Sequence, residues 1–265
     1  MTDQRPAGKL YGVIHLPPLP GTPFHRPGSL PEILEQVSVQ ARLMADGGLD
    51  GVLLQTVDRV YSVEDTSDPA RVAAMALCAR AVTDLGVAGF ELGIQIMRHA
   101  VSASLAVAKV CGAQFVRADA IVGATLSTHG LVQPDPLTIM NYRRAIDAFD
   151  IRLIADVDSM HYRWLVSGES TGDVARRAMT VGADAVCVAN ADPARVLELV
   201  ADIRRRAPGA PVVLGGFVNH GNAAALVAEV DGAFVSGCLT DPADSTRLDP
   251  QRIRDLVDAV GKVRA

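Results

Sequence analysis

The stretch Val212-Val213-Leu214-Gly215-Gly216, followed by Gly232-Ala233-Phe234-Val235-Ser236-Gly237, decides the fold. Each half is a short apolar run that stops at small residues, and a helical segment lies between them. Small residues allow backbone N–H groups to come close to a ligand, and at the ends of the last two strands of a (β/α)8 barrel they form a phosphate-binding site. The pattern predicts that a phosphorylated small molecule binds beside Gly215, Gly216, Ser236 and Gly237.

The rest of the chain alternates short apolar runs with amphipathic helical patterns. Near-continuous Val, Ile and Leu is typical of parallel strands covered on both faces. Eight such strands predict an α/β protein, a closed (β/α)8 TIM barrel that forms a single domain over residues 1–265. The alternative is an open doubly wound sheet, but no G-x-G-x-x-G phrase follows the first strand. The predicted strands are Val13–Leu16, Gly51–Leu54, Phe90–Ile94, Phe115–Ala118, Leu153–Val157, Ala185–Ala189, Val212–Gly215 and Ala233–Ser236.

Two local patterns repeat at the helix boundaries. An Asp-Pro pair predicts a helix start, because the Asp caps the helix and the Pro suits its first position. These pairs begin at Asp68, Asp135, Asp192 and Asp249. A glycine phrase before a strand predicts a helix end in a left-handed cap. These phrases are Gly47–Val52, Gly112–Phe115, Gly182–Val186 and Asp231–Phe234.

Composition restricts the class of protein. A net charge of −5 argues against non-specific nucleic-acid binding, which needs a basic face. No stretch approaches the ~18 apolar residues of a membrane span, and the polar start of the chain does not resemble a signal peptide. The cysteines are far apart and form no C-x-x-C pair, which predicts reduced thiols in a cytoplasmic protein. We also expect a homo-oligomer, because barrels expose apolar helix faces.

Polar side chains follow most of the predicted strands at their carboxyl ends, where the active site of this fold lies. The candidates for catalysis are Asp156, Asp158, Asp119, His161 and His15. The candidates for holding the substrate, beside the glycine turns, are Arg117, Gln95 and Asn190. Gln55, Arg98 and His99 follow their strands in the same way, with no role assigned to them.

Asp156 and Asp158 are two residues apart, so in a regular strand their side chains point to one face. Such a pair suits a divalent cation such as Mg²⁺, or a division of acid and base roles. The same carboxylates could instead cap the next helix or pair with Arg117. His15 could equally be a hydrogen-bonded core residue, and His161 an ordinary surface residue.

The three lysines, Lys9, Lys109 and Lys262, exclude one common chemistry of this fold. None of them is predicted at the carboxyl end of a strand, where a Schiff-base aldolase needs a desolvated lysine. Carbonyl chemistry would therefore use acid–base groups or a metal.

The opening phrase Gly12-Val13-Ile14-His15-Leu16-Pro17-Pro18-Leu19-Pro20-Gly21 resembles the start of the BtpA/SgcQ family. Similar phrases are Gly93–Arg98, Phe115–Arg117 and Ala155–Val157 with His161, so the resemblance runs from Gly12 to the last helix. It implies a TIM-like phosphate-binding barrel, and for some members a role in photosystem assembly.

The chain also departs from that family at several predicted site positions. The family's usual asparagine after the arginine of strand four is Asp119 here, and its usual lysine after strand five is Met160. Two functions fit. The first is an enzyme that acts on a phosphorylated sugar or nucleotide-like metabolite by isomerisation, glycosyl transfer or lyase chemistry without a Schiff base. The second is a non-catalytic assembly or regulatory protein.

Overall fold

Eight parallel strands close into a barrel in the computed structural model, which describes residues 8–165 and 168–264. Each strand pairs with its neighbours in chain order, and the last strand pairs with the first. The predicted TIM barrel is confirmed, and the open sheet is not formed. The barrel strands are Lys9–Leu16 (β1), Gly51–Thr56 (β2), Glu91–Gln95 (β3), Phe115–Ala118 (β4), Arg152–Ser159 (β5), Ala185–Ala189 (β6), Val212–Leu214 (β7) and Gly232–Val235 (β8).

Helices follow the strands and cover the outside of the barrel. They are Leu30–Asp46 (α1), Pro69–Thr83 (α2), Val101–Cys111 (α3), Pro136–Ala145 (α4), Thr171–Thr180 (α5), Pro193–Arg206 (α6), Ala223–Val227 (α7) and Pro250–Arg264 (α8). Within the described ranges, no helix is both long enough and apolar enough to cross a membrane. The large apolar core lies between these helices and the strands.

A second, smaller core fills the inside of the barrel. Its largest members are three aromatic rings: Tyr11 lies 4.9 Å from Phe115 and 5.8 Å from Phe234 between ring centroids. Phe234 also lines the cavity described below, so this ring connects the inner core with the cavity.

A reciprocal pair of hydrogen bonds repeats where alternate strands begin. The N–H of Asp50 donates to the carbonyl of Leu10 at 2.9 Å, while Oδ2 of Asp50 accepts from the N–H of Leu10 at 2.7 Å. These bonds fix the register of one strand on the next, and they account for the polar residue in the repeated glycine phrase. The same two contacts join Gln114 with Leu92, Asp184 with Leu153, and Asp231 with Val212.

The predicted helix boundaries are mostly confirmed. All four predicted aspartates accept a hydrogen bond from a backbone N–H in the first turn of their helix: Asp68, Asp135, Asp192 and Asp249. Gly48, Gly112 and Gly182 adopt the predicted left-handed conformation. The prediction is wrong for Gly232, because α7 already ends at Val227 and Gly232 is the first residue of β8.

Short elements that the sequence analysis did not predict lie in the loops after β4, β5 and β8. Three short strands form an antiparallel sheet, and a hairpin lies between β8 and α8. Their bounds are Thr125–Ser127, Gly130–Val132 and Arg163–Trp164 for the sheet, and Thr240–Asp241 and Asp244–Leu248 for the hairpin.

Candidate functional site

A cavity of about 510 Å³ opens at the carboxyl end of the barrel. This volume lies in the range of small-molecule sites. Most of the residues predicted from sequence meet in its lining, although they come from six different strands or the loops after them. Those residues are His15, Gln95, Arg117, Asp119, Asp156, His161, Gly215, Gly216, Ser236 and Gly237.

Arg117 and Asp156 form a two-pronged ion pair in the wall of this cavity. Nε of Arg117 donates to Oδ1 of Asp156 at 3.0 Å, and Nη2 donates to Oδ2 at 3.1 Å. Both side chains are more than nine-tenths buried. Burial, the largest single effect, lowers the pKa of Arg117, but the charge and hydrogen bonds of Asp156, with smaller contributions from Cys187 and Asp119, together outweigh it and raise the pKa. Asp156 therefore holds the guanidinium as a fixed cation rather than standing free as a base.

Asp119 and Arg98 form a second buried ion pair, which lacks the hydrogen bonds of the first. Oδ2 of Asp119 lies 3.3 Å from Nε of Arg98, and both atoms are buried without a hydrogen bond in the described part of the chain. Burial raises the pKa of Asp119 to about 7, with the negative charge of Asp156 adding to it and the positive charges of Arg98 and Arg117 opposing it. A carboxyl group with this pKa can give or take a proton near neutral pH.

Asp158 does not lie beside Asp156, contrary to the prediction. A bulge in β5 shifts the pairing with β6. Asp156 pairs with Cys187, and Asp158 pairs with Val188, the residue directly after Cys187. A bulge interrupts the two-residue alternation of side chains. Oδ2 of Asp158 accepts from Oγ1 of Thr171 at 2.7 Å, at the start of α5. The two carboxylates therefore do not face the same side of the strand, and no group of three or more Asp, Glu, His or Cys residues in the described ranges is arranged for a metal ion.

Asn190 also lies outside the cavity lining, contrary to its predicted role. Its Oδ1 accepts from the N–H of Asp192 at 2.9 Å, so the side chain helps to form the turn that starts α6. Ala191 lines the cavity in its place.

The glycine turns after β7 and β8 lie on neighbouring strands and line the same cavity. Gly216 has φ +145°, a backbone conformation that residues with a side chain rarely adopt. A Cβ built on Gly237 would meet open space. Within the described ranges, no protein acceptor is recorded for the backbone N–H of Gly216 or of Gly237. Two residues that line the cavity from adjacent strands thus have backbone donors without a protein acceptor in the described ranges.

The N–H of Gly215 is not available to a phosphate, contrary to the prediction. That N–H donates to the carbonyl of Val188 at 2.7 Å and is already satisfied. A Cβ at Gly215 would lie 2.7 Å from Nη2 of Arg117. Gly215 therefore makes room for the guanidinium instead of binding an anion through its amide.

A polar row crosses the first three strands at the cavity. His15 is in register with Gln55, and Gln55 with Gln95. Desolvation, with the positive charge of Arg117 in addition, lowers the pKa of His15. Oε1 of Gln95 is buried without a hydrogen bond in the described part of the chain. The row presents a neutral imidazole and two amides to a ligand.

Several lining residues received no role from the sequence: Gln55, Arg98, Ser159, Phe217 and Asn219. Gln55 and Arg98 carry a positional signal, since each follows the end of a predicted strand. Phe217 and Asn219 lie in the loop that follows Gly216, and nothing in the local sequence distinguishes them from ordinary loop residues.

Comparison with known proteins identifies a protein family that matches nearly the whole chain. The model described as the BtpA family matches residues 7–262. The chain is 28% identical over 259 residues to the photosystem I biogenesis protein BtpA of Synechocystis, a match that covers 96% of this chain and 88% of that protein. It is 29% identical over 253 residues to an uncharacterized protein of Archaeoglobus fulgidus, covering 94% of this chain and 97% of the relative.

Solved structures share the fold at low sequence identity. Thiamine phosphate pyrophosphorylase from Pyrococcus furiosus superposes with a TM-score of 0.53 at 14% identity, covering 96% of each chain. Tryptophan synthase from M. tuberculosis superposes with a TM-score of 0.61 at 15% identity, covering 96% of this chain and 93% of that one. At such identities the likeness is one of fold.

Proposed function

The protein belongs to the BtpA family, and we propose that it is a phosphate-binding barrel enzyme that acts on a phosphorylated sugar or nucleotide-like metabolite by acid–base chemistry. One observation carries the proposal: the open turns Gly216 and Gly237, on neighbouring strands, share a cavity with the incompletely paired carboxyl of Asp119. The turns hold the anion, and Asp119 exchanges a proton with the rest of the ligand.

The anion site is supported by the donors that face it. The N–H groups of Gly216 and Gly237 make no hydrogen bond to a protein acceptor in the described ranges, and Ser236, which carries a hydroxyl, lines the same cavity. Glycine at both turns lets the backbone approach an oxygen ligand closely. Backbone N–H groups at the ends of the last two strands are the usual phosphate ligands of this barrel.

The proton-transfer role is supported by the contrast between two carboxylates. Asp156 is bound at both oxygens by Arg117, whereas Asp119 keeps one buried oxygen free of hydrogen bonds in the described part of the chain. The pKa of Asp119 near 7 suits a group that must be protonated in one step and ionised in the next. Asp156 acts as a positioning residue that fixes Arg117 against the substrate.

The reaction class is restricted to chemistry without a Schiff base. Lys9 begins β1 at the opposite end of the barrel, and Lys109 lies late in α3, where it pairs with Asp150. Isomerisation, glycosyl transfer and lyase chemistry all remain open to an acid–base group beside a bound phosphate. The name of one structural neighbour, thiamine phosphate pyrophosphorylase, is consistent with such a ligand, although its likeness concerns the fold.

A second candidate is a non-catalytic role in assembly. The observation that favours it is the name of the Synechocystis relative, a photosystem I biogenesis protein, at 28% identity. The buried carboxyl of Asp119 weighs against it, since a buried, incompletely paired charge is costly to keep.

The anion site is tested by titration calorimetry with ribose 5-phosphate and with ribose. We expect ribose 5-phosphate to bind more tightly than ribose, and Gly237→Asp to weaken its binding by about 10-fold or more, because a carboxylate then faces the phosphate. The matched control is Gly209→Asp, which adds the same charge at an exposed position with open space around it, between α6 and β7. Equal binding of both sugars, or equal effects of the two substitutions, would contradict the proposal.

A further inference from the structure

Phe217 is an aromatic residue in an unfavourable position. It follows Gly216, lines the cavity, and is 43% exposed. Its backbone has φ +62°, in the left-handed region that bulky residues avoid. Neither burial of the ring nor the preference of the backbone explains a phenylalanine here.

The loop is nevertheless fixed by hydrogen bonds. Nδ2 of Asn222 donates to the carbonyl of Phe217 at 3.0 Å, and Oδ1 of Asn222 accepts from the N–H of Asn219 at 2.8 Å. One side chain therefore holds both ends of the Phe217–Asn219 segment. These hydrogen bonds fix the backbone that carries the Phe217 ring at the cavity.

His161 faces Phe217 from another rim of the cavity. The two ring centroids lie 6.4 Å apart, and the ring planes are inclined by 22°. His161 follows β5 and Phe217 follows β7, and between these strands the small residue Ala191 lines the cavity after β6. The N–H of His161 donates to Oγ of Ser159 at 3.2 Å, so the backbone of His161 is also held by a hydrogen bond.

Two nearly parallel rings at the mouth of a cavity are a surface on which flat groups stack. Aromatic rings attract each other at centroid distances of about 4.5–7 Å when offset or tilted. Stacking accepts any planar base, because each has a π-face. Arg117 and Asp119 also line the same cavity, so an apolar chain is a poor match for the whole cavity.

We propose that His161 and Phe217 bind a planar heteroaromatic ring of the substrate, so that the substrate is a phosphorylated compound of the nucleoside monophosphate class rather than a simple sugar phosphate. This inference rests on the proposed function, and it narrows the ligand. Because Gly216 and Phe217 are adjacent, one loop contacts both the phosphate and the ring.

The test compares AMP and UMP with ribose 5-phosphate by titration calorimetry. In the unaltered protein we expect each nucleotide to bind about 10-fold more tightly than ribose 5-phosphate, since the base adds a stacking contact. Phe217→Ala removes that advantage, so that the nucleotides bind no more tightly than ribose 5-phosphate does. Phe217→Tyr keeps the advantage, and His161→Ala, on the other rim, reduces it independently.

The matched control is Phe24→Ala. Phe24 is 42% exposed, nearly the same as Phe217, and it lies outside the cavity lining, against Arg59. We expect this variant to bind every probe as the unaltered protein does.

The outcomes separate this inference from the proposed function. If ribose 5-phosphate binds at the glycine turns and the nucleotides bind no more tightly, the ring site is wrong and the phosphate site stands. Equal losses of nucleotide affinity in Phe217→Ala and Phe24→Ala also overturn the ring site. If no phosphorylated probe binds at all, both proposals fail.

Discussion

Nε of Arg98 lies 3.3 Å from Oδ2 of Asp119, yet neither atom makes a hydrogen bond within the described residues. The two side chains are each more than nine-tenths buried in the wall of one cavity. The charges attract, but the pair lacks the hydrogen bonds that compensate fully for the burial of two charges. This contrasts with the neighbouring pair of Arg117 and Asp156, which is bonded at both oxygens.

The first prediction concerns the pH dependence of stability through Asp119. Its pKa in the folded protein, about 7, lies above its ordinary value of 3.8, so the folded state binds the proton more tightly than the unfolded state. The free energy of unfolding therefore falls as the pH rises from about 4 to about 7, by up to ~1.4 kcal/mol per pH unit from this group.

Asp119→Asn removes that contribution. Urea denaturation of both proteins between about pH 4 and pH 8 should give a difference in unfolding free energy that grows with pH in favour of the variant. A difference that does not change with pH would mean that Asp119 does not titrate in this range.

Asp156→Asn tests the buried ion pair. Removing one partner leaves the guanidinium of Arg117 buried without its counter-charge, and we expect a loss of about 3 kcal/mol in the free energy of unfolding. The control is Glu198→Gln, which breaks the exposed pair with Arg195 and should cost less than about 1 kcal/mol. Similar losses in both variants would show that the buried pair contributes no more than a surface pair.

Gly215→Ala tests whether this glycine makes room for Arg117. A Cβ there would lie 2.7 Å from Nη2 of Arg117 and 2.9 Å from Sγ of Cys187, so we expect a loss of about 1–3 kcal/mol in stability. Gly209→Ala, at a position with open space, should change stability by less than about 0.5 kcal/mol. Chemical denaturation measures the free energy of unfolding of both variants. If Gly215→Ala is as stable as the unaltered protein, Gly215 does not make room for Arg117.

The backbone of Phe217 is tested by a pair of variants that both lack the ring. At φ +62° glycine is preferred to alanine, so Phe217→Gly should be more stable than Phe217→Ala by about 1 kcal/mol. Thermal denaturation measures the difference. Equal melting temperatures would mean that the left-handed conformation of this residue costs nothing.

The fold was predictable because its signals are local and repeated. Continuous apolar runs marked the strands, and each Asp-Pro pair marked a helix start, as with Asp68 and the N–H of Ala70. The glycine phrase failed at Gly232, because the five-residue α7 ends before the phrase begins. A glycine can start a strand as well as end a helix, and the sequence alone does not distinguish the two cases.

The site was predictable where it depended on the position along a strand. The carboxyl-end rule places Arg117, Asp119 and Asp156 at one end of the barrel, and all three line the cavity there. It failed for Asp158, because a bulge in β5 breaks the alternation of side chains. Phe217 was missed because the features that distinguish it, a left-handed backbone conformation and a facing ring, are properties of three-dimensional structure.

The most direct test of the central claim is a crystal structure of the protein with ribose 5-phosphate. We predict that the phosphate oxygens lie within hydrogen-bond distance of the backbone N–H groups of Gly216 and Gly237, with the sugar extending toward Asp119. A phosphate bound elsewhere on the barrel, with the two turns in contact with solvent, would contradict the account.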